Sequence, residues 1–187
     1  MLRAGRPTTR LGVASVLAAA LIAVAVLAGC DTDPESDLTA EEGQPMKLGE
    51  LLYNVQISRP LNPSDPEDKA YLAGQPPPPN DKLYFGVFMT LENEGDTSQD
   101  VPTEFAVVDT EGTEFQPVPS DSLFALRLGA KLAPDEVLPE PESTAANGPI
   151  QGAMVLFLID EGATELRPLT LDIPSSTGSV GEIELDI

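Results

Sequence analysis

From residue 46 onward, apolar and polar side chains alternate with a period of two. Tyr53, Val55 and Ile57 alternate with Asn54, Gln56 and Ser58, and Phe85, Val87, Met89 and Leu91 line one side of a later stretch opposite Gly86, Thr90 and Glu92. Neighbouring side chains of a strand point to opposite faces, so this spacing predicts strands with one face in a core. Asn93-Glu94-Gly95-Asp96 interrupts the pattern as a turn. Phe105 and Val107 resume it before Asp109-Thr110-Glu111-Gly112, a hairpin turn followed by Phe115. Residues 153–159 are apolar throughout, between Gly148-Pro149 and Asp160-Glu161-Gly162. That run is too short for a typical helix and reads as a central strand buried on both faces. Leu169, Leu171 and Ile173 then alternate with Thr170 and Asp172, and Ile183, Leu185 and Ile187 with Glu182, Glu184 and Asp186. Acids along one side of that last strand would guard a sheet edge against pairing with another molecule.

Composition supports the same class. Nineteen Pro and fifteen Gly in 187 residues oppose long helices, and 41% apolar residues with no Trp point to an aliphatic core. Met46, Met89 and Met154 are scattered and are expected in that core. The fold class expected for 46–187 is all-β, an Ig-like β-sandwich of about seven strands. Two connections are long. Residues 58–82 contain seven Pro, including Pro76-Pro77-Pro78-Pro79, a stiff polyproline II segment; residues 129–149 contain four. The first carries Tyr71 and Leu72, which makes it a candidate docking loop for a cell-envelope protein, against the plainer reading of a solvated insertion.

The N-terminus follows a different pattern. Met1 to Arg10 holds Arg3, Arg6 and Arg10 and no acid, and Leu11 to Gly29 has Ser15 as its one polar side chain. A basic start followed by an apolar run is the pattern of a secretory signal, although 18 or more apolar residues also suffice to span a bilayer. Leu27-Ala28-Gly29-Cys30 ends the run, with slim side chains directly before the cysteine. It resembles the lipobox of bacterial lipoproteins, which implies cleavage before Cys30 and a lipid thioether on its sulfur. Two acyl chains anchor stably where one does not. Asp31 to Pro45 then carries six acids and no base, a composition that cannot order itself and reads as a flexible tether spanning ~20 Å as a coil and ~50 Å at full stretch. The expected organisation is a signal peptide over 1–29, lipidated Cys30 and tether over 30–45, and the sandwich over 46–187. It places the domain on the extracytoplasmic face of the cell membrane.

Charge narrows the chemistry. Past the leader, seven basic residues face 31 acidic ones. Nucleic-acid affinity comes mainly from Lys and Arg displacing counterions, so nucleic acid is excluded as a partner. Histidine is absent and Cys30 is the single cysteine. There is no Ser-His-Asp or Cys-His arrangement, no intramolecular disulfide and no His/Cys metal site. No cofactor is expected.

The runs Leu83-Tyr-Phe-Gly-Val-Phe-Met-Thr-Leu-Glu-Asn93-Glu-Gly and Phe105-Ala-Val-Val-Asp109-Thr-Glu-Gly112-Thr-Glu-Phe115 resemble the Ig-like, telokin-like domain of unknown function found in many Gram-positive lipoproteins. Gly148-Pro-Ile-Gln-Gly152 and Met154-Val-Leu-Phe157 are similar to that family's later turn and core strand. The likeness covers roughly 46 to 173 and implies a shared fold. Its Asn, Gly and Phe positions shape turns and core, and no catalytic residue comes with them. The Ala- and Pro-rich composition resembles that of a high-GC actinobacterium.

Four functional classes compete for such a chain. A non-enzymatic interaction or structural module is the leading expectation. Calcium binding would draw on Asp109, Glu111, Asp160 and Glu161, which flank turns, but no sequential calcium-loop pattern is present. A glycosidase would need a carboxylate pair in a cleft with aromatic rings to stack a sugar, and such rings are scarce. A copper or redox chaperone would want clustered Met and His.

Overall fold

The computed structural model describes residues 38–187. The leader, Cys30 and the tether as far as residue 37 lie outside the described residues. Twelve strands follow: β1 (Thr39–Glu41), β2 (Pro45–Leu48), β3 (Leu51–Leu61), β4 (Lys82–Asn93), β5 (Gln99–Asp100), β6 (Ala106–Val108), β7 (Glu114–Phe115), β8 (Lys131–Leu132), β9 (Val137–Leu138), β10 (Ala153–Asp160), β11 (Leu169–Pro174) and β12 (Val180–Leu185). One short helix, α1 (Thr144–Asn147), precedes β10. The first sheet runs β1-β12-β11-β6-β7; the second runs β10-β4-β3-β2, with β9 also on β4. β5 and β8 form a separate two-stranded ladder.

The two sheets face each other across a core of Tyr53, Val55, Phe85, Val87, Met89 and Leu91 from the second sheet and Val107, Leu169, Leu171, Ile173 and Ile183 from the first. This is an all-β sandwich. The strands read from alternation are all present; those added are short or irregular. Met46, Met89 and Met154 are buried, as expected.

The second sheet also buries its outer face. Tyr84 and Phe88 of β4 and Met154 and Leu156 of β10 join Leu61, Tyr71, Leu72, Phe124 and Ala145 in a second cluster. A strand with a core on each side loses its alternation, which is why residues 153–159 are apolar without a break. β10 is not central in its sheet, however. It ends the strand order, and its free edge is closed by residues 117–126 through a bridge at Pro117–Phe157 and another at Ala125–Met154.

Three further expectations are corrected. The pairing of β3 with β4 steps from Val55–Met89 to Ile57–Phe88, so Gln56 is an extra residue in a β-bulge. One added residue exchanges the two faces. Ile57 is therefore turned out of the sandwich core and partly exposed, Ser58 is buried instead, and Leu61 enters the second cluster. The tether expected to extend to residue 45 is ordered from Thr39, because β1 pairs in parallel with β12 (Thr39–Glu182, Glu41–Glu184). That pairing also makes β12 an interior strand; its acids do not guard an edge. Finally, Tyr71 and Leu72, expected to be displayed on a docking loop, are core residues.

The described residues, 38–187, lie in one compact unit, and every described strand finds its partner inside it. The sandwich carries its own core and can be produced as a domain by itself.

Candidate functional site: a pocket beside β10

Residues 117–128 close the edge of β10 incompletely. Pro117 and Pro119 lack the N–H that a continuing ladder needs. The segment therefore touches β10 at Val118, whose N–H donates to the Leu156 carbonyl at 2.8 Å, and then leaves it. It returns at Phe124, whose carbonyl accepts from Met154 N–H at 2.7 Å, and Leu126 N–H donates to the Met154 carbonyl at 2.8 Å. The detour is pinned from the other side. Ser122 Oγ donates to the Ala70 carbonyl at 2.8 Å, and Gln75 Nε2 donates to the Pro119 carbonyl at 2.6 Å.

Between the two attachments lies a pocket of about 540 Å³, within the range of ~300–1,000 Å³ common for ligand sites. Its floor is the Met154–Leu156 stretch of β10, its walls include Pro117, Pro119, Leu126 and Leu128, and Leu123 and Arg127 also line it. Phe124 and Leu126 point inward, whereas Leu123 is 80% exposed. A second hollow of about 100 Å³ shares Leu123 and Arg127, so these two residues stand between adjoining depressions.

Arg127, like Lys69, stands apart from the other bases of this acidic domain. Lys47, Arg59, Lys82 and Lys131 pair with Glu94, Asp68, Asp160 and Asp100. Arg167 donates to the carbonyls of Thr164 and Ile187. Among the described residues, Arg127 makes no such pair. The nearby acid, Asp121, packs its side chain beside Gly74, where a methyl group would come within 3.3 Å of Oδ2.

The outer face of the first sheet presents a contrasting surface. One hollow of about 420 Å³ is lined by Glu41, Glu182 and Glu184, and another of about 350 Å³ by Glu104, Glu114 and Asp172, with no base in either. Burial raises the Asp172 carboxyl above the usual carboxylate range, and the charges of Glu182 and Glu114 raise it further. No aromatic ring lines the hollow that holds Asp172, so it lacks the stacking platform of a glycosidase.

The acids considered for calcium serve other ends. Asp109 Oδ1 accepts from the backbone N–H groups of Glu111 and Thr113, both at 2.9 Å, and closes its hairpin turn. The Thr113 bond is the largest cause holding that carboxyl below its ordinary value. Asp160 is paired with Lys82. Among the described residues no three acids converge as a metal site would require. Cys30 lies outside the described residues. Leu123 and Arg127 were not foreseen from sequence, because residues 116–128 follow neither a period of two nor one of 3.6. Pro117 and Pro119, shortly ahead of the apolar cluster that begins at Leu123, are the available signal.

No family model matches the chain, and no curated protein matches it. Solved structures resemble it in fold. An uncharacterized beta-sandwich protein of Clostridium difficile shares 11% identity at a TM-score of 0.50, covering 80% of this chain and 95% of its own. A conserved hypothetical protein of Bacillus anthracis shares 10% at 0.50, covering 79% and 95%. The yjhA protein of Bacillus subtilis shares 15% at 0.48, covering 79% and 99%. At these identities the likeness to the Clostridium difficile and Bacillus anthracis proteins extends to the β-sandwich and no further.

Proposed function

We propose that this chain is a lipoprotein held at Cys30 on the extracytoplasmic face of the cell membrane, where its sandwich serves as a non-enzymatic binding module. The Ig-like, telokin-like type belongs to the same proposal. The observation that carries the binding role is Leu123, 80% exposed beside a pocket floored by buried strand residues. An isolated apolar side chain on a surface needs no explanation, but one that lines a pocket with an apolar floor and a few polar groups is the pattern of a binding site. The anchor is supported by the basic start, the apolar run and Leu27-Ala28-Gly29-Cys30. The hydrogen-bonded and ion-paired roles of Asp109 and Asp160 weigh against the calcium alternative.

A second reading rests on Pro76, Pro77 and Pro79, which are exposed in the 58–82 connection. Tyr71 and Leu72 being buried, a cell-envelope partner of this loop would meet its prolines and exposed polar side chains instead.

The test has two arms. Cys30→Ser should abolish incorporation of labelled palmitate and release the domain from the membrane fraction; unchanged labelling sinks the anchor. Leu123→Asp should weaken capture of apolar ligands by the purified domain while its melting temperature holds. Unaltered capture sinks the binding role of this pocket.

A further inference from the structure

We propose that the pocket beside β10 takes a small amphiphile with one anionic head, an acyl-chain carboxylate, with Arg127 as its counter-ion; this rests on the pocket being a binding site. Shape restricts the occupant first. The bridges at Pro117–Phe157 and Ala125–Met154 close both ends of the exposed β10 edge. They leave too little backbone for an extended peptide to add as a strand. A compact or folded chain within about 540 Å³ is what remains.

Charge restricts it next. The domain repels anions almost everywhere, since seven bases face 31 acids past the leader and most of those bases are already paired. The Arg127 side chain lines the pocket with no ion pair or hydrogen bond among the described residues, and the pocket's own acid, Asp121, has its side chain beside Gly74. Guanidinium binds carboxylate through paired charge-assisted hydrogen bonds. The Ser120 side chain also lines this pocket and adds a hydroxyl. The two hollows on the opposite sheet hold only acids among their charged residues, so the domain separates a pocket of mixed lining that holds Arg127 from an acidic face.

The experiment uses residues 32–187 and three ten-carbon ligands below their aggregation limits: decanoate, decanol and decylammonium. Calorimetry at low salt should show decanoate binding ~10-fold or more tightly than decanol, as a charge-assisted bond implies. Decylammonium should bind worst. Arg127→Gln should reduce decanoate to the level of decanol and leave decanol unchanged. Ser120→Trp, which fills the pocket, should abolish binding of both. Equal affinities with Arg127→Gln silent would overturn the anion assignment and leave an apolar site standing, as would a preference for decylammonium. Failure of all three ligands to bind, or binding that survives Ser120→Trp, would overturn the pocket itself.

Discussion

The Asn93 side-chain amide donates to the Leu132 carbonyl at 2.9 Å from a position with no solvent exposure. The same nitrogen donates to the Thr97 carbonyl at 2.8 Å, and Oδ1 accepts from Gly95 N–H at 3.0 Å. One buried amide thus closes the turn after β4 and ties it to the β8 segment. The main chain repeats the tie, with Asn93 N–H donating to the Glu136 carbonyl and Asp135 N–H donating to the Asn93 carbonyl.

Removing that amide takes a donor from the buried Leu132 carbonyl and another from the Thr97 carbonyl. Asn93→Ala should cost ~1–3 kcal/mol. Asn93→Asp should cost more, because it turns a carboxylate toward the same carbonyl oxygens. Urea denaturation measures both, and an Asn93→Asp variant as stable as the parent would contradict this account of the turn.

Asp172 and Asp109 should respond to pH in opposite directions. Asp172 stands directly across from Glu182 on the neighbouring strand, and its carboxyl titrates above the usual range through burial first and then Glu182 and Glu114. A folded value above the unfolded one means that the charged form costs stability above the folded pKa and the cost disappears below the unfolded pKa. Asp172→Asn should therefore stabilise at about pH 7 by ~0.2–1 kcal/mol, with the gain fading toward acid. Asp109 is lowered by the N–H of Thr113, so its contribution is present above its unfolded pKa and is lost as pH falls through the folded value. Asp109→Ala should be most harmful at neutral pH and progressively less so in acid. Urea midpoints across the acid range read both signs.

Sequence pattern located the strands whose alternation answers to one core. Leu169, Leu171 and Ile173 and then Ile183 and Leu185 were legible because their other face meets solvent. The unbroken run at 153–159 announced burial on both sides but not which element covers the edge, since Pro117 and Ala125 reach Met154 and Phe157 only through distant pairing. The bulge at Gln56 was invisible for a related reason: an inserted residue changes the register and leaves the local apolar spacing intact. β1 is written Thr-Ala-Glu, with no periodic signal, and owes its strand character to β12. The pocket depends on where residues 117–128 leave and rejoin a strand some thirty residues away, and no local period encodes that.

Gly152 tests the approach of the chain into β10. It has φ +125°, where an L side chain is strained, and a Cβ there would lie 2.9 Å from Met89 N. Backbone holds that atom in place, so neither relaxation nor a rotamer change relieves the contact. Gly152→Ala should cost ~1–3 kcal/mol. Alanine at Gly112, also at positive φ but with open space around it, should cost less. Equal losses at the two positions in thermal or urea unfolding would locate the whole effect in φ and remove the steric part.

Tyr71 decides whether the Pro-rich connection is structural or merely attached. Its ring meets Phe88 edge-on at 5.1 Å and Phe124 at 4.6 Å, and its hydroxyl accepts from Ile150 N–H at 3.2 Å. Tyr71→Phe keeps the rings together and should cost ~0.5–1.5 kcal/mol; Tyr71→Ala empties the second cluster and should cost ~3–5 kcal/mol. Because Phe124 carries the carbonyl that rejoins residues 117–126 to Met154, loss of the ring should also loosen the pocket wall. Tyr71→Ala combined with Phe124→Leu should then destabilise by less than the sum of the single changes, since the two share one contact. Additive losses in the double variant, with pocket ligands bound as before, would mean that the connection packs on the sandwich without supporting its site.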